Sequence, residues 1–418
     1  MHFMRRMGPA GRAVFAALAC LACFALPAQA ADPIKIGFGH SLTGGNGPLG
    51  KASLLTFQIW AEEINAHGGL LGRKVELIYY DDQSNPANVP GIYNKLIDID
   101  HADVLVSQGT VFTAPAMPVV MQHNRFLLAS LSLAVNDQFK YNRYFQTMPY
   151  GPDGKAAISK GYFEVASKLN PKPKTIAFVG ADIEFARNAL DGARAGAKKM
   201  GLQVVYDQSY PASTVDFSSI MRAIQAKKPD LVFIGSYPID SAGLVRAAHE
   251  VGLKAMMFGG AMVGLQITNV KMKMGETLNG MVNYELFLRE PSMNFPGVDE
   301  FLTKYRTRAG AAGTDPLGLY VAPVQYATMQ VLEQAIKATG GTDDAKLADY
   351  LHKSTFKTIF GDIRFGADGE WANSRILMTQ FQKVKGNDMK QFDTPGTQVI
   401  LYPESLKSGT LKYPFPVQ

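Results

Sequence analysis

The chain has 418 residues, a formal net charge of +6, 47% hydrophobic residues and only two cysteines. This length favours two domains over one, because single hydrophobic cores rarely grow beyond about 250–300 residues. The charge is mild and dispersed, with no basic block, which argues against nucleic acid as a partner.

Residues 1–30 have the three-part form of a secretory signal peptide. Three arginines precede an uncharged apolar run at 13–26, and Ala28 and Ala30 frame a small-residue cleavage site. The run is shorter than the ~18–20 residues of a membrane span. We therefore expect cleavage after Ala30 and a periplasmic protein, whose charge falls from +6 to +3 because three arginines and no acid are removed.

Both cysteines, Cys20 and Cys23, lie inside this predicted signal peptide. The mature chain is therefore expected to have no thiol, no disulfide and no cysteine metal site. We also predict no cofactor, because no motif for one is found.

A glycine-rich stretch, GGNGPLGKAS at 44–53, nearly fits two nucleotide-binding patterns. However, Ala52 replaces the Ser or Thr that would hold Mg²⁺, and Pro48 removes a backbone N–H from the phosphate cradle. The first candidates for the acid of a dinucleotide fold, Asp81 and Asp82, come 31 and 32 residues after Gly50, later than the ~20 residues that such a fold requires. The loop is therefore predicted to serve another ligand.

Short β-branched runs alternate with longer amphipathic stretches along most of the chain. The predicted strands are 34–39, 75–80, 104–109, 126–130, 144–150, 175–180, 204–207, 231–237 and 255–260. The predicted helices are 51–66, 86–99, 113–123, 153–169, 184–200, 216–227, 239–251, 297–309, 317–338 and 343–353. This alternation predicts an α/β fold of Rossmann-like units with parallel sheets.

The end of the chain follows a different pattern. A hairpin-like segment is predicted at 361–382, with Asp368-Gly369 as its turn, and the tail from 386 has little periodicity. A break between two domains is predicted at 148–153, where Pro and Gly separate two periodic blocks. Two such domains would present the loops at the carboxyl ends of their strands to each other across a cleft.

Several stretches resemble one known family in the expected order. They are IKIGFGHSLTG, INAHGGLLGRKVELIYYDDQSNP, the loop at 110–115, FSSIMRAIQAKKPDLVFIGSY, LVRAAHEVGLK and FGDIRFGADG. The chain thus resembles the type I periplasmic substrate-binding proteins of ABC importers, in the branch that binds leucine, isoleucine and valine.

The resemblance implies two lobes joined by three crossovers. Lobe 1 would comprise 32–148 and 283–358, and lobe 2 would comprise 149–282 and 359–418. It also implies a small-molecule ligand bound between the lobes, and ABC permease subunits as membrane partners. We expect a monomer.

The loop GTVFTAPAMP at 109–118 is predicted to bind the ligand's acid group. Thr113 is a candidate N-cap with Pro115 in the first helical turn, which would turn free N–H groups and the positive helix end toward the cleft. The resemblance implies that Thr110 binds a carboxylate through its hydroxyl and amide. Alternatively, both threonines only cap the helix.

Other ligand contacts come from the resemblance and from aromatic residues at strand ends. The resemblance implies contacts from Leu131 and Ser132, and from Tyr237 on the second lobe. Ser132 could instead bond its own backbone, and Tyr237 could be a core residue. Candidates for an apolar wall are Leu49, Phe112, Tyr150 and Phe185. His40 is an ionisable residue expected at the lip of the cleft.

One departure from the family concerns the ligand's amino group. Relatives that bind α-amino acids place an acid in the loop after FGG, whereas here Ala261 stands at that position with Met262 beside it. A buried ammonium without a partner costs a few kcal/mol. Either Asp182, Glu184 or Asp240 replaces the acid, or the ligand is a carboxylate with an apolar or aromatic body and no amino group. We favour the second.

The sequence therefore predicts an extracytoplasmic solute receptor of an ABC importer. No G-x-S-x-G elbow and no second zinc histidine are present, so an enzyme is not expected. Two alternatives remain open at this point. One is a ligand-sensing receptor of the same fold, and the other is an extracytoplasmic α/β enzyme whose catalytic residues form no recognisable motif.

Overall fold

The computed structural model describes residues 32–417. Most of its strands are almost wholly buried, as expected when helices cover both faces of a sheet, whereas the strands at 75–81, 203–210, 355–358 and 361–364 are partly exposed. In chain order they are β1 Ile34–His40, β2 Val75–Asp81, β3 Val104–Gln108, β4 Leu127–Ser130, β5 Tyr144–Gln146, β6 Thr175–Ala181, β7 Gln203–Tyr210, β8 Leu231–Ser236, β9 Met257–Met262, β10 Val282–Glu285, β11 Thr355–Thr358, β12 Gly361–Arg364, β13 Leu377–Phe381 and β14 Gln398–Tyr402.

The helices fill the connections between these strands. They are α1 Gly47–Ala66, α2 Val89–Asp98, α3 Thr110–Gln122, α4 Val135–Phe139, α5 Gly154–Ala166, α6 Glu184–Met200, α7 Ser218–Lys227, α8 Pro238–Glu250, α9 Thr268–Met274, α10 Val298–Ala312, α11 Ala322–Thr339 and α12 Asp344–Lys353.

The first five strands form one parallel sheet in the order β2-β1-β3-β4-β5, which is the core of lobe 1. The core of lobe 2 is a seven-stranded sheet in the order β14-β13-β10-β9-β8-β6-β7. Its strands β6 to β10 run parallel, and β13 and β14 join antiparallel at one edge. The predicted class, two Rossmann-like lobes with parallel sheets, is confirmed.

The chain passes between the lobes three times. It leaves β5 at Gln146 for lobe 2 and returns after Glu285 to form α10 and α11, which pack on α1 of lobe 1. It crosses again between Arg364 and Leu377. Because β10 belongs to the seven-stranded sheet, the second passage begins after Glu285, beyond the predicted boundary at 283.

The hairpin predicted at 361–382 is wrong in its pairing. Strand β12 pairs backward with β11, and β13 pairs with β10, almost a hundred residues earlier in the chain. Only one bridge, between Phe365 and Trp371, flanks the predicted turn at Asp368-Gly369. The segment instead serves as the third passage between the lobes. The tail, for which no element was predicted, supplies β14 to lobe 2.

The predicted signal peptide and its cleavage site lie outside the described residues. Within 32–417, no helix is both long enough and apolar enough to cross a membrane.

Candidate ligand-binding site

Helix α3 begins directly where β3 ends, at the carboxyl edge of the lobe 1 sheet. Its N-cap is Gly109, whose φ of 84° is a conformation that glycine adopts without strain. Among the described residues, no acceptor bonds the backbone N–H groups of Thr110 and Val111. These free donors and the positive end of the helix dipole create a site that favours an anion.

A cavity of about 70 Å³ lies against this helix start, between the two lobes. It is lined from lobe 1 by Asn46, Gly109, Thr110, Val111, Phe112 and Leu131, from lobe 2 by Tyr150, Phe185, Tyr237 and Val263, and by Tyr320 from the connection between α10 and α11. Six of the predicted site residues thus meet at one cavity: Thr110, Phe112, Leu131, Tyr150, Phe185 and Tyr237. We call it the carboxylate cavity, after the acid group that the sequence predicts it to bind.

Tyr237 contributes a free hydroxyl to this cavity. Its backbone N–H donates to Oδ1 of Asp240 at 2.7 Å, which fixes the residue at the start of α8. Its ring meets that of Phe185 edge-on, with centroids 6.0 Å apart. The hydroxyl is buried and donates to no acceptor among the described residues. Burial raises its pKa, although the backbone of Phe185 lowers it, so the hydroxyl remains an O–H donor. An unpaired buried donor costs about 1–3 kcal/mol, which an acceptor on a ligand would recover.

Three more tyrosines surround the cavity or support its wall. Tyr150 and Tyr320 line it, and the hydroxyl of Tyr320 lies 3.1 Å from that of Tyr284. Burial raises the pKa of all three phenols, so each stays neutral. The site therefore combines aromatic faces with neutral hydroxyls and uncharged amides.

Leu49 lies beside the carboxylate cavity rather than in its wall. It lines a smaller cavity of about 40 Å³, which shares Asn46, Gly109, Phe112 and Leu131 with the carboxylate cavity. It also lines a large chamber described below. The residues predicted to form an apolar wall therefore extend beyond the carboxylate cavity along α1.

Thr113 and Ser132 do not reach the cavity wall. The helix begins at Thr110, so Thr113 is not its N-cap and Pro115 lies in the second turn. The hydroxyl of Thr113 lies 2.7 Å from that of Ser132 and donates to Oγ of Ser107 at 3.1 Å. These hydroxyls tie α3 to the ends of β3 and β4. For Ser132 the alternative of a bond to its own backbone is what the structure shows, since its hydroxyl donates to the carbonyl oxygen of Ser130 at 3.0 Å. The alternative for Thr113, a helix cap, is wrong because the N-cap is Gly109.

The hydroxyl of Thr110 is also used within the protein. It accepts a hydrogen bond of 2.9 Å from the backbone N–H of Leu133, which holds the loop after β4 against the start of α3. The free group that Thr110 offers to a ligand is therefore its amide.

Ala261 and Met262 are fully buried at the end of β9 and do not line the carboxylate cavity. The backbone N–H of Met262 donates to Oδ1 of Asn283 at 2.9 Å, which keeps this end of the strand in the sheet. The next residue, Val263, is the one that reaches the cavity. The position that lines the cavity therefore lies beyond the predicted one, and it is apolar too.

None of the three alternative acids lines the carboxylate cavity. Asp182 forms an exposed ion pair of 2.9 Å with Arg187. Asp240 accepts hydrogen bonds from the hydroxyl of Tyr210 and the backbone of Tyr237. Glu184 lies at the start of α6, outside the cavity wall.

His40 is a core residue, not a residue of the cleft lip. Its ring packs on those of Phe38 and Phe57, and its Nδ1 lies 2.7 Å from the carbonyl oxygen of Gly39. Burial lowers its pKa to about 4, so the imidazole is neutral. Across residues 32–417 no cluster of His, Asp and Glu has the arrangement of a metal site.

Sequence reasoning missed several cavity residues, among them Asn46, Val111, Val263 and Tyr320. Asn46 and Val111 adjoin predicted residues, so the loop positions were a usable signal. Tyr320 gave no such signal, because it reaches the cavity only through the second passage between the lobes.

A family model described as periplasmic binding protein matches residues 33–387, most of the chain. The chain belongs to this family. Its members are substrate-binding proteins, not enzymes, and the proteins to which the chain is similar include branched-chain amino acid binding proteins. The resemblance stated from the sequence is confirmed.

One relative of this periplasmic binding protein is the leucine-, isoleucine-, valine-, threonine- and alanine-binding protein of Pseudomonas aeruginosa. The two are 26% identical over 374 residues, covering 88% of this chain and 95% of the relative.

Two solved structures illustrate the fold. One is a branched-chain amino acid transporter substrate-binding protein from Streptococcus pneumoniae with isoleucine, with a TM-score of 0.71, 18% identity, and coverage of 89% of this chain and 100% of that one. The other is a solute-binding protein from R. palustris with benzoate, with a TM-score of 0.71, 16% identity, and coverage of 90% and 98%.

Proposed function

We propose that this periplasmic binding protein is the receptor of an ABC importer for a small carboxylate that carries no amino group. The ligand's acid group would bind the free amides of Thr110 and Val111 and the hydroxyl of Tyr237. The observation that carries the proposal is the buried, unpaired Tyr237 hydroxyl in the wall of an interlobe cavity that contains no acidic side chain.

The donors in the cavity support an anion. Two backbone N–H groups at a helix start and one phenol O–H come from opposite lobes, and all three lack acceptors within the described residues. A charge-assisted hydrogen bond contributes about 1.5–3 kcal/mol. An anion that accepts from both lobes would therefore favour the closed arrangement of the lobes over the open one.

The absence of acidic residues from the described wall argues against an α-amino acid. An ammonium bound there would lose its hydration and find only hydroxyls, amides and aromatic faces. That costs a few kcal/mol, which corresponds to about a hundredfold or more in affinity.

Proteins of this fold bind both ligand classes, since the Streptococcus pneumoniae structure contains isoleucine and the R. palustris structure contains benzoate. The wall of Phe112, Phe185, Tyr150 and Tyr237 favours an apolar or aromatic body beside the acid group. We therefore propose that this protein binds acids without an amino group rather than amino acids.

The proposal extends to location and partners. The mature protein would be a periplasmic monomer, released by cleavage after Ala30, and its closed form would dock on permease subunits at the membrane. The ATPase would lie on other chains.

Isothermal titration with two matched sets of ligands tests the proposal. The first set is benzoate, phenylacetate and 3-methylbutanoate, and the second is phenylalanine, leucine and valine. We expect the acids without an amino group to bind at least tenfold more tightly. Tighter binding of the amino acids would contradict the argument from the wall, and no binding in either set would contradict the receptor itself.

A further inference from the structure

A chamber of about 1080 Å³ lies beside the carboxylate cavity and between the same two lobes. Helices α1 and α8 face each other across it. Leu49 and Ala52 line it on the α1 side, and Ile239 and Ala242 line it on the α8 side. These two α8 residues lie three positions apart on one helical face. The face is apolar at this end of α8 and continues along the chamber to Arg246, His249 and Glu250.

The chamber and the carboxylate cavity share one wall residue. Tyr320 lines both of them. Leu49 lines the chamber and also the 40 Å³ cavity, which in turn shares Phe112 and Leu131 with the carboxylate cavity. The chamber therefore adjoins the carboxylate cavity at Tyr320, and it adjoins the 40 Å³ cavity at Leu49.

The carboxylate cavity by itself is too small for a large ligand. Its volume of about 70 Å³ is roughly that of two or three water molecules at ~30 Å³ each. That is enough for the acid group of a ligand. The adjoining chamber offers more than ten times this volume.

Three of the four charged residues that line the chamber are exposed. The fourth, Asp315, is partly buried, and its carboxylate accepts hydrogen bonds from the backbone N–H and the hydroxyl of Thr268. Arg246, Glu250 and Lys273 are exposed, and none of them forms an ion pair within the described part of the chain. The interior between α1 and α8 is mostly aliphatic. This distribution suits an apolar body whose far end approaches solvent.

We propose that the chamber binds the body of an elongated ligand, an arylalkyl carboxylate whose acid group is held at Thr110 and Tyr237. Its chain passes Leu49 and Tyr320 and lies between α1 and α8. This inference rests on the proposed carboxylate function and defines the substrate class of the same site.

The test is a series of acids of increasing length, measured by isothermal titration. Benzoate, phenylacetate, 3-phenylpropanoate and 4-phenylbutanoate differ by one methylene at each step. If each methylene enters the chamber, Kd should fall roughly fourfold per step, the factor expected for a fully buried methylene.

A variant that fills the chamber provides the second measurement. Ala242 lies on α8 and is partly exposed, so Ala242→Phe should extend a ring into the chamber without touching the carboxylate cavity. We expect Kd for benzoate to change by less than about threefold and the gain with length to disappear. The control is Ala195→Phe, the same change at an exposed position of α6, which should keep the full gain.

The outcomes separate the two proposals. If benzoate binds and Kd does not change with length in the unmodified protein, the chamber is a solvent-filled vestibule and this inference is wrong, whereas the carboxylate function stands. If no acid binds, the proposed carboxylate function is wrong, and the inference that rests on it is wrong as well. Should Ala242→Phe not fold, Ile239→Asp replaces it, since Ile239 is 79% exposed and lines the chamber, and a charge there should weaken only the longer acids.

Discussion

The guanidinium of Arg375 lies 5.0 Å from the centroid of the Phe295 ring, and this contact joins two of the three segments that connect the lobes. The same guanidinium lies 4.6 Å from the Phe360 ring and 5.0 Å from the Trp371 ring. Its backbone N–H donates to the carbonyl oxygen of Pro149 at 2.8 Å, on the remaining segment. One residue therefore contacts all three connections.

Replacing this residue should destabilise the protein. In Arg375→Lys the planar stack on three rings is lost, and a compact, strongly hydrated ammonium takes its place in a buried site. Burial already lowers the pKa of Arg375 to about 10. We expect the free energy of unfolding in urea to fall by about 1–3 kcal/mol.

The control for that experiment is Arg364→Lys, the same exchange at an exposed position of β12. It should change the free energy of unfolding by less than about 0.5 kcal/mol. Equal losses in the two variants would mean that the contacts of Arg375 do not stabilise the connections.

Removal of the Tyr237 hydroxyl should weaken ligand binding without destabilising the free protein. The hydroxyl has no partner among residues 32–417, so Tyr237→Phe removes an unpaired polar group. With a bound carboxylate the lost hydrogen bond is worth about 1.5–3 kcal/mol, so Kd for benzoate should rise roughly 10- to 150-fold. Titration calorimetry and thermal unfolding measure the two effects.

Tyr206→Phe is the matched control, because Tyr206 lies on β7 and lines neither the carboxylate cavity nor the chamber. Its Kd should stay within about twofold. If Tyr237→Phe binds benzoate as tightly as the unmodified protein, the Tyr237 hydroxyl does not contact the ligand.

Most of the fold was predictable because the sequence pattern that identifies each strand or helix lies within that element. Each parallel strand is a short buried run followed by an amphipathic helix, so both the period and the order of elements could be read along the chain. The strands β10, β13 and β14 were not predicted as such. They are short, and their antiparallel pairing joins segments far apart in sequence, which no local pattern encodes.

The site was predictable only in part, for the same physical reason. Thr110, Phe112 and Leu131 follow strands whose ends meet at one sheet edge, so their convergence follows from topology. Thr113 and Ser132 have equally suitable side chains, yet their hydroxyls bond each other. Which of two neighbouring hydroxyls turns inward depends on packing. Packing also brings Val263 rather than Ala261 to the cavity.

The last residue of β10, Glu285, should make stability depend on pH. Burial raises its pKa to about 7, although the nearby Lys271 lowers it. The folded state therefore binds this proton more tightly than the unfolded state, whose ordinary value is 4.5. The stabilisation that the protonated Glu285 contributes is complete at pH values below its unfolded-state pKa of 4.5. It is lost as the pH rises toward about 7, by up to about 3 kcal/mol.

Comparison of the unmodified protein with Glu285→Gln isolates this contribution. Each protein is measured by urea denaturation from pH 5 to pH 8 and compared with its own value at pH 5. Between these limits the unmodified protein should lose about 1–3 kcal/mol more than the variant. Parallel pH profiles would show that Glu285 ionises normally.

A single acidic substitution should change the ligand class. Val263 is 6% exposed and lines the carboxylate cavity, so Val263→Asp adds the negative charge that the wall lacks. We expect Kd for benzoate to rise at least tenfold through like-charge repulsion, and Kd for phenylalanine to fall at least tenfold because its ammonium gains a partner. Val263→Asn has nearly the same shape without the charge, and it should weaken benzoate binding without admitting phenylalanine. An equal gain of phenylalanine binding in both variants would mean that cavity shape, rather than the missing carboxylate, excludes amino acids from this site.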